Sequence, residues 1–243
     1  MHFNVISIFP QFFDYLEYGI LGKAKNSNLI SVSAINPRNF SNFKNKKIDD
    51  NQFGDEHGMV MMAEPLRKSV KSIHHKRRGK IILMSPQGKI LNHSRVKDLS
   101  KNRFLTIVCG RYEGIDQRFI DNYVDEEISI GNFVLTGGEL PALLLIDAIS
   151  RLIPGVVGRF SSVENDSFYN GLLKGPVYTR PRIFEGISVP DPLLSGNHQI
   201  IEDWRLRESL FTTYKKKPEL FKEIKLTKKQ KKLLEEIDSS IIL

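Results

Sequence analysis

Short apolar segments alternate with amphipathic ones along the first 155 residues of the chain. Five apolar segments are rich in β-branched, aliphatic and aromatic residues, which is typical of β-strands, and they cover residues 3–9, 29–35, 80–85, 104–109 and 124–130. Most of these segments are nearly continuous apolar runs, which indicates strands covered on both faces. They predict a parallel sheet packed between layers of helices.

Apolar residues recur at helical spacing between the predicted strands. This spacing predicts helices over residues 11–25, 64–78, 95–102 and 139–152. Pro10 stands just before the first of these helices and Pro141 lies in the first turn of the last, as is typical of helix beginnings. The alternation of strands and helices indicates an α/β domain, which we expect to cover residues 1–158.

The pattern changes after Pro154 and Gly155. Residues 159–175 are polar and glycine-containing without sustained periodicity, which predicts an interdomain linker or a functional loop. From Gln199 onward apolar residues return at helical spacing, so we expect a small helical domain over residues 176–243. From Lys215 to the end, nine lysines accompany five acidic residues.

Composition and charge narrow the class of protein. The formal net charge is +8, which favours a polyanionic partner such as a nucleic acid. The chain has no uncharged apolar run of about 18 residues, so we expect no membrane span. Its N-terminal residues do not resemble a secretion signal, and with Cys109 as its one cysteine it has no internal disulfide. These features together predict a soluble, cytoplasmic protein.

Known metal and nucleotide motifs are missing from the sequence. No two of the six histidines have the i, i+4 spacing of a helical zinc site, and we predict no dedicated metal site. There is no phosphate-binding P-loop motif. Residues 107–116 space their glycines as G-x-x-x-G, which differs from the G-x-G-x-x-G of a dinucleotide-binding loop.

Three glycine-bearing segments directly follow predicted strands. They cover residues 85–88, 109–114 and 130–141. In open α/β sheets ligands bind at the carboxyl ends of the strands, and glycine lets the backbone approach a ligand closely. Each segment taken alone also fits an ordinary tight turn. Because three of them meet at one sheet edge, we favour a pocket whose backbone groups bind a small molecule.

Two charged residues flank the predicted domain junction. Judged by spacing alone, Arg151 fits a surface pair with Asp147, four residues earlier on the same helix. Asp166 fits the N-cap of a helix beginning at Ser167. The basic residues between 67 and 80 similarly fit a solvated helix face. From the residues alone, each of these three features can therefore be explained by an ordinary structural role.

Nine motifs, distributed over nearly the whole chain, together indicate a family. They are SIFPQFFD, SPQGK, VCGRYEGIDQR, EEISIGNFVLTGGELPA, RLIPGVVG, NDSF, GLLKGPVYTRP, VPDPLLSGNH and IEDWR. The chain resembles the bacterial tRNA (guanine-N1)-methyltransferases, which use S-adenosylmethionine to methylate the guanine at tRNA position 37, next to the anticodon. The resemblance implies a SPOUT-type α/β fold with a deep trefoil knot, a rare exception to unknotted topology. It also implies two partners: tRNA, which the helical domain over residues 176–243 is expected to bind, and a second copy of the chain in a homodimer.

The resemblance also implies which residues contact the methyl donor. They belong to the three glycine-bearing segments and the strand residues just before them. The expected contacts are Leu83, Met84, Ser85, Pro86, Gly110, Tyr112, Glu113, Gly114, Ile130, Gly131, Asn132, Phe133, Val134, Leu135, Gly137, Gly138 and Pro141.

The family's reaction gives roles to the two charged residues at the junction. Guanine N1 carries a proton at neutral pH, so methylation requires a base and stabilisation of the charge that moves onto O6. The resemblance implies that Asp166 is this base and that Arg151 is the cation near O6. Gly58, Glu113 and Arg151 are expected to contact the substrate, and a Mg²⁺ ion near Glu113 is a further expectation from the family.

One segment departs from the family pattern. Asp55, Glu56 and His57 stand between Gly54 and Gly58, where the family usually has a glycine-rich run that contacts RNA. Two carboxylates near phosphates would weaken RNA binding. This departure leaves a second function possible, a basic RNA-binding protein that has lost its enzymatic activity. Such a protein would have no reason to bind S-adenosylmethionine. An enzyme for a small acidic substrate is disfavoured by the lysine-rich C-terminal segment.

Overall fold

The computed structural model describes residues 1–54 and 58–241. The predicted effect of Asp55, Glu56 and His57 on RNA binding concerns residues outside this description. The chain divides into two compact units, Met1–Phe160 and Ser161–Leu243. None of the described helices is long and apolar enough to cross a membrane.

The first unit contains seven of the described strands and six of the described α-helices. The strands are β1 (His2–Ile6), β2 (Ser31–Ile35), β3 (Asp49–Asn51), β4 (Met59–Met61), β5 (Lys80–Ile90), β6 (Phe104–Cys109) and β7 (Glu126–Ser129). The helices are α1 (Gly19–Asn26), α2 (Ala63–Ser72), α3 (His75–Arg78), α4 (His93–Leu99), α5 (Gln117–Tyr123) and α6 (Glu139–Ser150).

A five-stranded parallel sheet with the strand order β2-β1-β6-β5-β7 forms the centre of this unit, which confirms the predicted parallel sheet and mixed α/β fold. Successive residues of a strand point to opposite faces. Phe3 and Val5 accordingly pack in one core and Ile6 in the other. The middle of the sheet is therefore buried over continuous runs, residues 81–84 of β5 and 105–109 of β6, whereas the edge strand β2 has no buried residue.

Two predicted helices are interrupted. The segment predicted as one helix over 11–25 is a 3₁₀ helix over Pro10–Glu17 followed by α1. The break falls at Gly19, whose φ of 62° belongs to the left-handed region that glycine adopts readily. The helix predicted over 64–78 is divided into α2 and α3 because Ile73 adopts an extended conformation and buries its side chain in the core.

The segment 85–88, predicted as a loop after a strand, lies instead within β5. The pairing of β5 with β7 shifts register between Met84 and Lys89. Gly88 makes this possible, because a Cβ atom there would lie only 2.4 Å from the carbonyl carbon of Glu127. A close backbone approach at glycine therefore keeps the segment beside β7.

The second unit is mostly helical and has a small core. Its elements are α7 (Phe160–Glu164), which starts at the boundary, β8 (Ile183–Phe184), β9 (Ile187–Ser188), α8 (His198–Lys216) and α9 (Lys228–Ile241). Leu172, Leu210 and Ile237 form the buried core. The side chain of Asn197 caps α8 by accepting hydrogen bonds from the N–H groups of Gln199 and Ile200. Helix α7 lies in the segment for which the sequence predicted no periodic structure.

Candidate functional site

A cavity of about 310 Å³ lies in the first unit, beside residues 83–87 of β5 and at the carboxyl ends of β6 and β7. All of the residues predicted to contact the methyl donor line it except Asn132. The three glycine-bearing segments therefore meet around one space, as the sequence predicted from their positions after strands. Whether these residues bind the donor stays a prediction.

The cavity wall also contains residues that the sequence did not single out. Some of them, such as Arg111 and Thr136, lie inside the three glycine-bearing segments. Others, such as Gln117 and Ile120, lie on α5. The sequence gives little indication of these residues, because it does not show in which direction the side chain of a loop or helix residue points. They are Gln87, Arg111, Ile115, Gln117, Ile120, Glu127, Ile128, Ser129 and Thr136.

Two of the cavity segments touch through their backbones at glycine. The N–H of Gly138 donates a hydrogen bond to the carbonyl oxygen of Gly110 at 2.9 Å. A Cβ atom on Gly138 would lie 2.8 Å from the Cα of Cys109, a backbone atom that cannot move aside. Glycine is therefore required at position 138 for the two segments to meet.

A buried carboxylate fixes the same two segments from behind. Glu139, the first residue of α6, is only 1% exposed. Its Oε1 accepts a hydrogen bond from the hydroxyl of Ser7 at 2.7 Å, and its Oε2 accepts one from Nε of Arg111 at 2.9 Å. Nη1 of Arg111 donates to the carbonyl oxygen of Thr136 at 2.9 Å, and its guanidinium lies over the ring of Phe9. We call Ser7, Arg111, Thr136 and Glu139 the Glu139 cluster.

The short strand β4 supports the cavity segment around Glu113. The N–H of Glu113 donates to the carbonyl oxygen of Met59, and the N–H of Met61 donates to that of Gly114. Gly58 has a φ of 100°, and a Cβ atom there would lie 2.7 Å from Cγ of Glu113. Two predicted substrate residues, Gly58 and Glu113, are thus in direct contact.

Tyr112 has an unusual backbone conformation in this wall. Its φ of 60° is uncommon for a residue with a side chain, and such conformations cluster at functional sites. Its hydroxyl accepts a hydrogen bond from Nη2 of Arg38 at 3.3 Å. This bond connects the cavity wall to the 3₁₀ helix Pro37–Phe40, which follows β2.

Cys109 precedes Gly110 but is not available as a nucleophile. Burial raises the pKa of its thiol well above the usual range, the negative charge of Glu139 raises it further, and the positive charge of Arg111 partly opposes this. The thiol therefore stays protonated at neutral pH, and the thiolate is the reactive form.

The chain can be compared as a whole with known proteins. The family model for tRNA (Guanine-1)-methyltransferase TrmD matches residues 1–223. The chain belongs to this family. Three relatives are each named tRNA (guanine-N(1)-)-methyltransferase: that of Pasteurella multocida is 47% identical over 237 residues, covering 96% of this chain and 97% of its own. That of Haemophilus influenzae (strain PittEE) is 48% identical over 239 residues, and one from Vibrio cholerae is 47% identical over 239, each covering 97% of both chains. These matches confirm the predicted resemblance.

The two residues to which the family resemblance gives catalytic roles lie outside the cavity wall. Arg151 is half-buried just after α6, and its N–H donates to the carbonyl oxygen of Asp147 at 3.1 Å. Asp166 belongs to the second unit, and its Oδ1 lies 3.4 Å from Nζ of Lys174. The alternative of Asp166 as a helix N-cap is wrong, because turns and not a helix follow it.

The described residues do not by themselves assemble a metal site. Among residues 1–54 and 58–241, no three histidine, cysteine, aspartate or glutamate side chains are grouped so that they could hold an ion.

The Glu139 cluster gives a first testable prediction for this family member. Glu139→Ala removes the ion-pair partner of Arg111, whose side chain is only 16% exposed. Removing one partner of a buried ion pair costs ~3–5 kcal/mol. Because Arg111 keeps some contact with water, we expect a loss at the lower end of this range, about 3 kcal/mol, in the free energy of unfolding measured in urea.

The same substitution should weaken S-adenosylmethionine binding by about tenfold, measured by calorimetry on the folded variant, because segments 110–114 and 130–138 lose their common anchor. Glu139→Gln is the matched control. It keeps the shape and the bond with Ser7, and we expect an intermediate loss. Equal donor affinity for all three proteins would show that the cluster only stabilises the fold.

Proposed function

We propose that this protein transfers a methyl group from S-adenosylmethionine to N1 of a guanine in tRNA, at position 37 next to the anticodon. The observation that carries this function is membership of the tRNA (guanine-1)-methyltransferase TrmD family over residues 1–223. The cavity supports it, because all but one of the residues that the family resemblance assigns to the donor line one space.

The cavity has the size and chemistry that the donor requires. Its volume of about 310 Å³ lies within the range of small-molecule sites. Leu83, Ile130 and Leu135 supply apolar walls, and Glu113 and Glu127 supply negative charge beside a cationic donor. S-adenosylmethionine, when bound, supplies an electrophilic methyl group on a positively charged sulfur. Gly110 and Gly138 line the cavity without side chains, so the backbone itself forms the wall there.

Two residues of the chain would act on the guanine. In our proposal the Asp166 carboxylate accepts the proton from guanine N1, so that the N1 electron pair can attack the methyl carbon. The Arg151 guanidinium stabilises the negative charge that moves onto O6. Nζ of Lys174 lies 3.4 Å from Oδ1 of Asp166, and both side chains are partly exposed, so this ion pair is a weak one.

The proposal includes a SPOUT-type knotted fold, a homodimer and a cytoplasmic location. The homodimer is taken from the family resemblance; within one chain the cavity belongs to the first unit and Asp166 to the second. A Mg²⁺ ion is coordinated by oxygen ligands, of which it often takes only one or two from protein carboxylates. Among the residues that line the cavity, Glu113 is the carboxylate that the resemblance places near such an ion.

Mass-spectrometric mapping of a single tRNA transcript tests the function. After incubation with protein and S-adenosylmethionine, we expect one added methyl group on the guanine next to the anticodon. A transcript with adenine at that position is the matched control and should stay unmethylated. Donor binding without any methylation of tRNA would contradict the proposed function, and a methyl group on another guanine would contradict the proposed position.

A further inference from the structure

The second unit contains a cavity of its own. It has a volume of about 500 Å³ and lies between the segment 176–182, the segment 189–194 and one side of α8. Tyr178 and Trp204 stand next to each other in its wall, with ring centroids 6.2 Å apart and planes inclined by 56°. Tyr178 is 48% exposed, so an aromatic face is accessible from solvent.

Three arginines converge on the same space. Arg180, Arg182 and Arg205 all line the cavity, and none of its lining residues is acidic. Within the described parts of the chain, none of the three guanidinium groups forms an ion pair or a hydrogen bond. Three unpaired like charges around one cavity repel each other, and an anion placed between them would relieve this repulsion.

The wall that carries these residues is anchored to α8. The N–H of Leu173 donates to Oγ1 of Thr213 at 2.9 Å, and Oγ of Ser209 donates to the carbonyl oxygen of Leu173. A Cβ atom on Gly175 would lie 3.2 Å from the backbone nitrogen of Ser209, so the chain runs directly against the helix there. The segment 176–182 therefore leaves a fixed point, and its aromatic and basic side chains share the cavity with Trp204 and Arg205.

We propose that this cavity binds a nucleotide of an RNA strand. The arginines would bind the phosphate, because the planar guanidinium matches phosphate oxygens with two parallel hydrogen bonds. The rings of Tyr178 and Trp204 would stack on the base. An acidic peptide offers the charge but no flat ring to stack. The inference rests on the proposed function only in naming tRNA as the RNA that occupies the cavity.

Trp204 is the only tryptophan in the chain, so its fluorescence reports on this cavity directly. Titration with a tRNA transcript should quench the tryptophan emission, because a base stacks on the indole. The midpoint should match the dissociation constant from the anisotropy of labelled tRNA. Unchanged emission at saturating tRNA would overturn the proposal, and so would equal quenching by polyglutamate at the same concentration of charge.

Single substitutions test the phosphate contacts. Arg180→Ala, Arg182→Ala and Arg205→Ala should each weaken tRNA binding by about five- to tenfold and reduce the slope of log affinity against log salt by about one. Arg207→Ala is the matched control, because Arg207 is exposed on the same helix outside the cavity. Three variants that all behave like this control would overturn the phosphate contacts.

Tyr178 tests the stacking separately. Tyr178→Ala should weaken tRNA binding by about tenfold, and Tyr178→Phe, which keeps the ring, should restore it. Equal affinity of the two variants would overturn the stacking role. If the wild-type protein quenches with tRNA but does not methylate it, the proposed function fails and this binding site stands. If the wild-type protein methylates tRNA and the cavity variants bind normally, only this inference fails.

Discussion

Asp166→Ala should abolish methyl transfer while the affinity for S-adenosylmethionine stays unchanged. In the proposed reaction the carboxylate removes the N1 proton, and general bases contribute ~10²–10⁴-fold to a rate. The donor cavity lies in the first unit and Asp166 in the second, so the substitution leaves the cavity wall intact. Single-turnover methylation with saturating tRNA measures the loss, and calorimetry measures donor binding.

Two variants make this result interpretable. Asp166→Asn keeps the shape of the side chain but cannot accept the proton, and it should be as inactive as Asp166→Ala. Lys174→Ala removes the ion-pair partner of Asp166 and keeps the base, so only a several-fold loss is expected. If Asp166→Ala retains more than about a tenth of the wild-type rate, Asp166 is not the base.

The sequence predicts the central sheet well because its strands are covered on both faces. A strand such as β6 has five fully buried residues among its six, which gives an apolar run that no surface segment has. The paired strands β3 and β4 cannot be predicted in this way, because each has only three residues, too few to show an alternation of apolar and polar positions. Yet β4 is what supports the cavity segment at Glu113 and Gly114.

The candidate site shows the same division. Glycine after a strand is visible in the sequence, and it predicts the sheet edge at which the cavity lies. The role of Glu139 cannot be predicted from the sequence, because solvent-exposed acidic residues are also common in the first turn of a helix. One of its hydrogen-bond partners, Ser7, is 132 residues away in the chain. Only tertiary structure shows that a charge at this position has two partners.

Arg151 and Asp166 show the limit of spacing as a guide to function. Arg151 stands four residues after Asp147, and Asp166 precedes a segment that looks helical, so both fit ordinary structural roles. The structure removes the helix after Asp166, but it does not by itself give either residue a role. Their proposed roles come from the family, and kinetic experiments on this chain are what test them.

Mixing two inactive variants should restore activity if each active site is shared between two chains. We propose a symmetric dimer in which the cavity of one chain acts with Asp166 of the other. The first variant is Asp166→Ala. The second is Gly110→Trp, which adds an indole to a residue that lines the cavity. A Cβ atom at position 110 meets only the Ile115 side chain, at 3.6 Å, so a side chain can be added there without moving the backbone. Gly114 is less suitable, because its φ of 140° would strain any residue with a side chain.

Each homodimer should be inactive, one for lack of the base and the other for lack of donor binding. In a heterodimer, one of the two sites combines the intact cavity of the Asp166→Ala chain with the intact Asp166 of the Gly110→Trp chain. Random exchange of equal amounts makes about half of the dimers heterodimers, so the mixture should recover about a quarter of wild-type activity when the sites act independently. Exchange is measured by mass spectrometry of differently labelled chains. If exchange is complete and no activity returns, each site is built within a single chain.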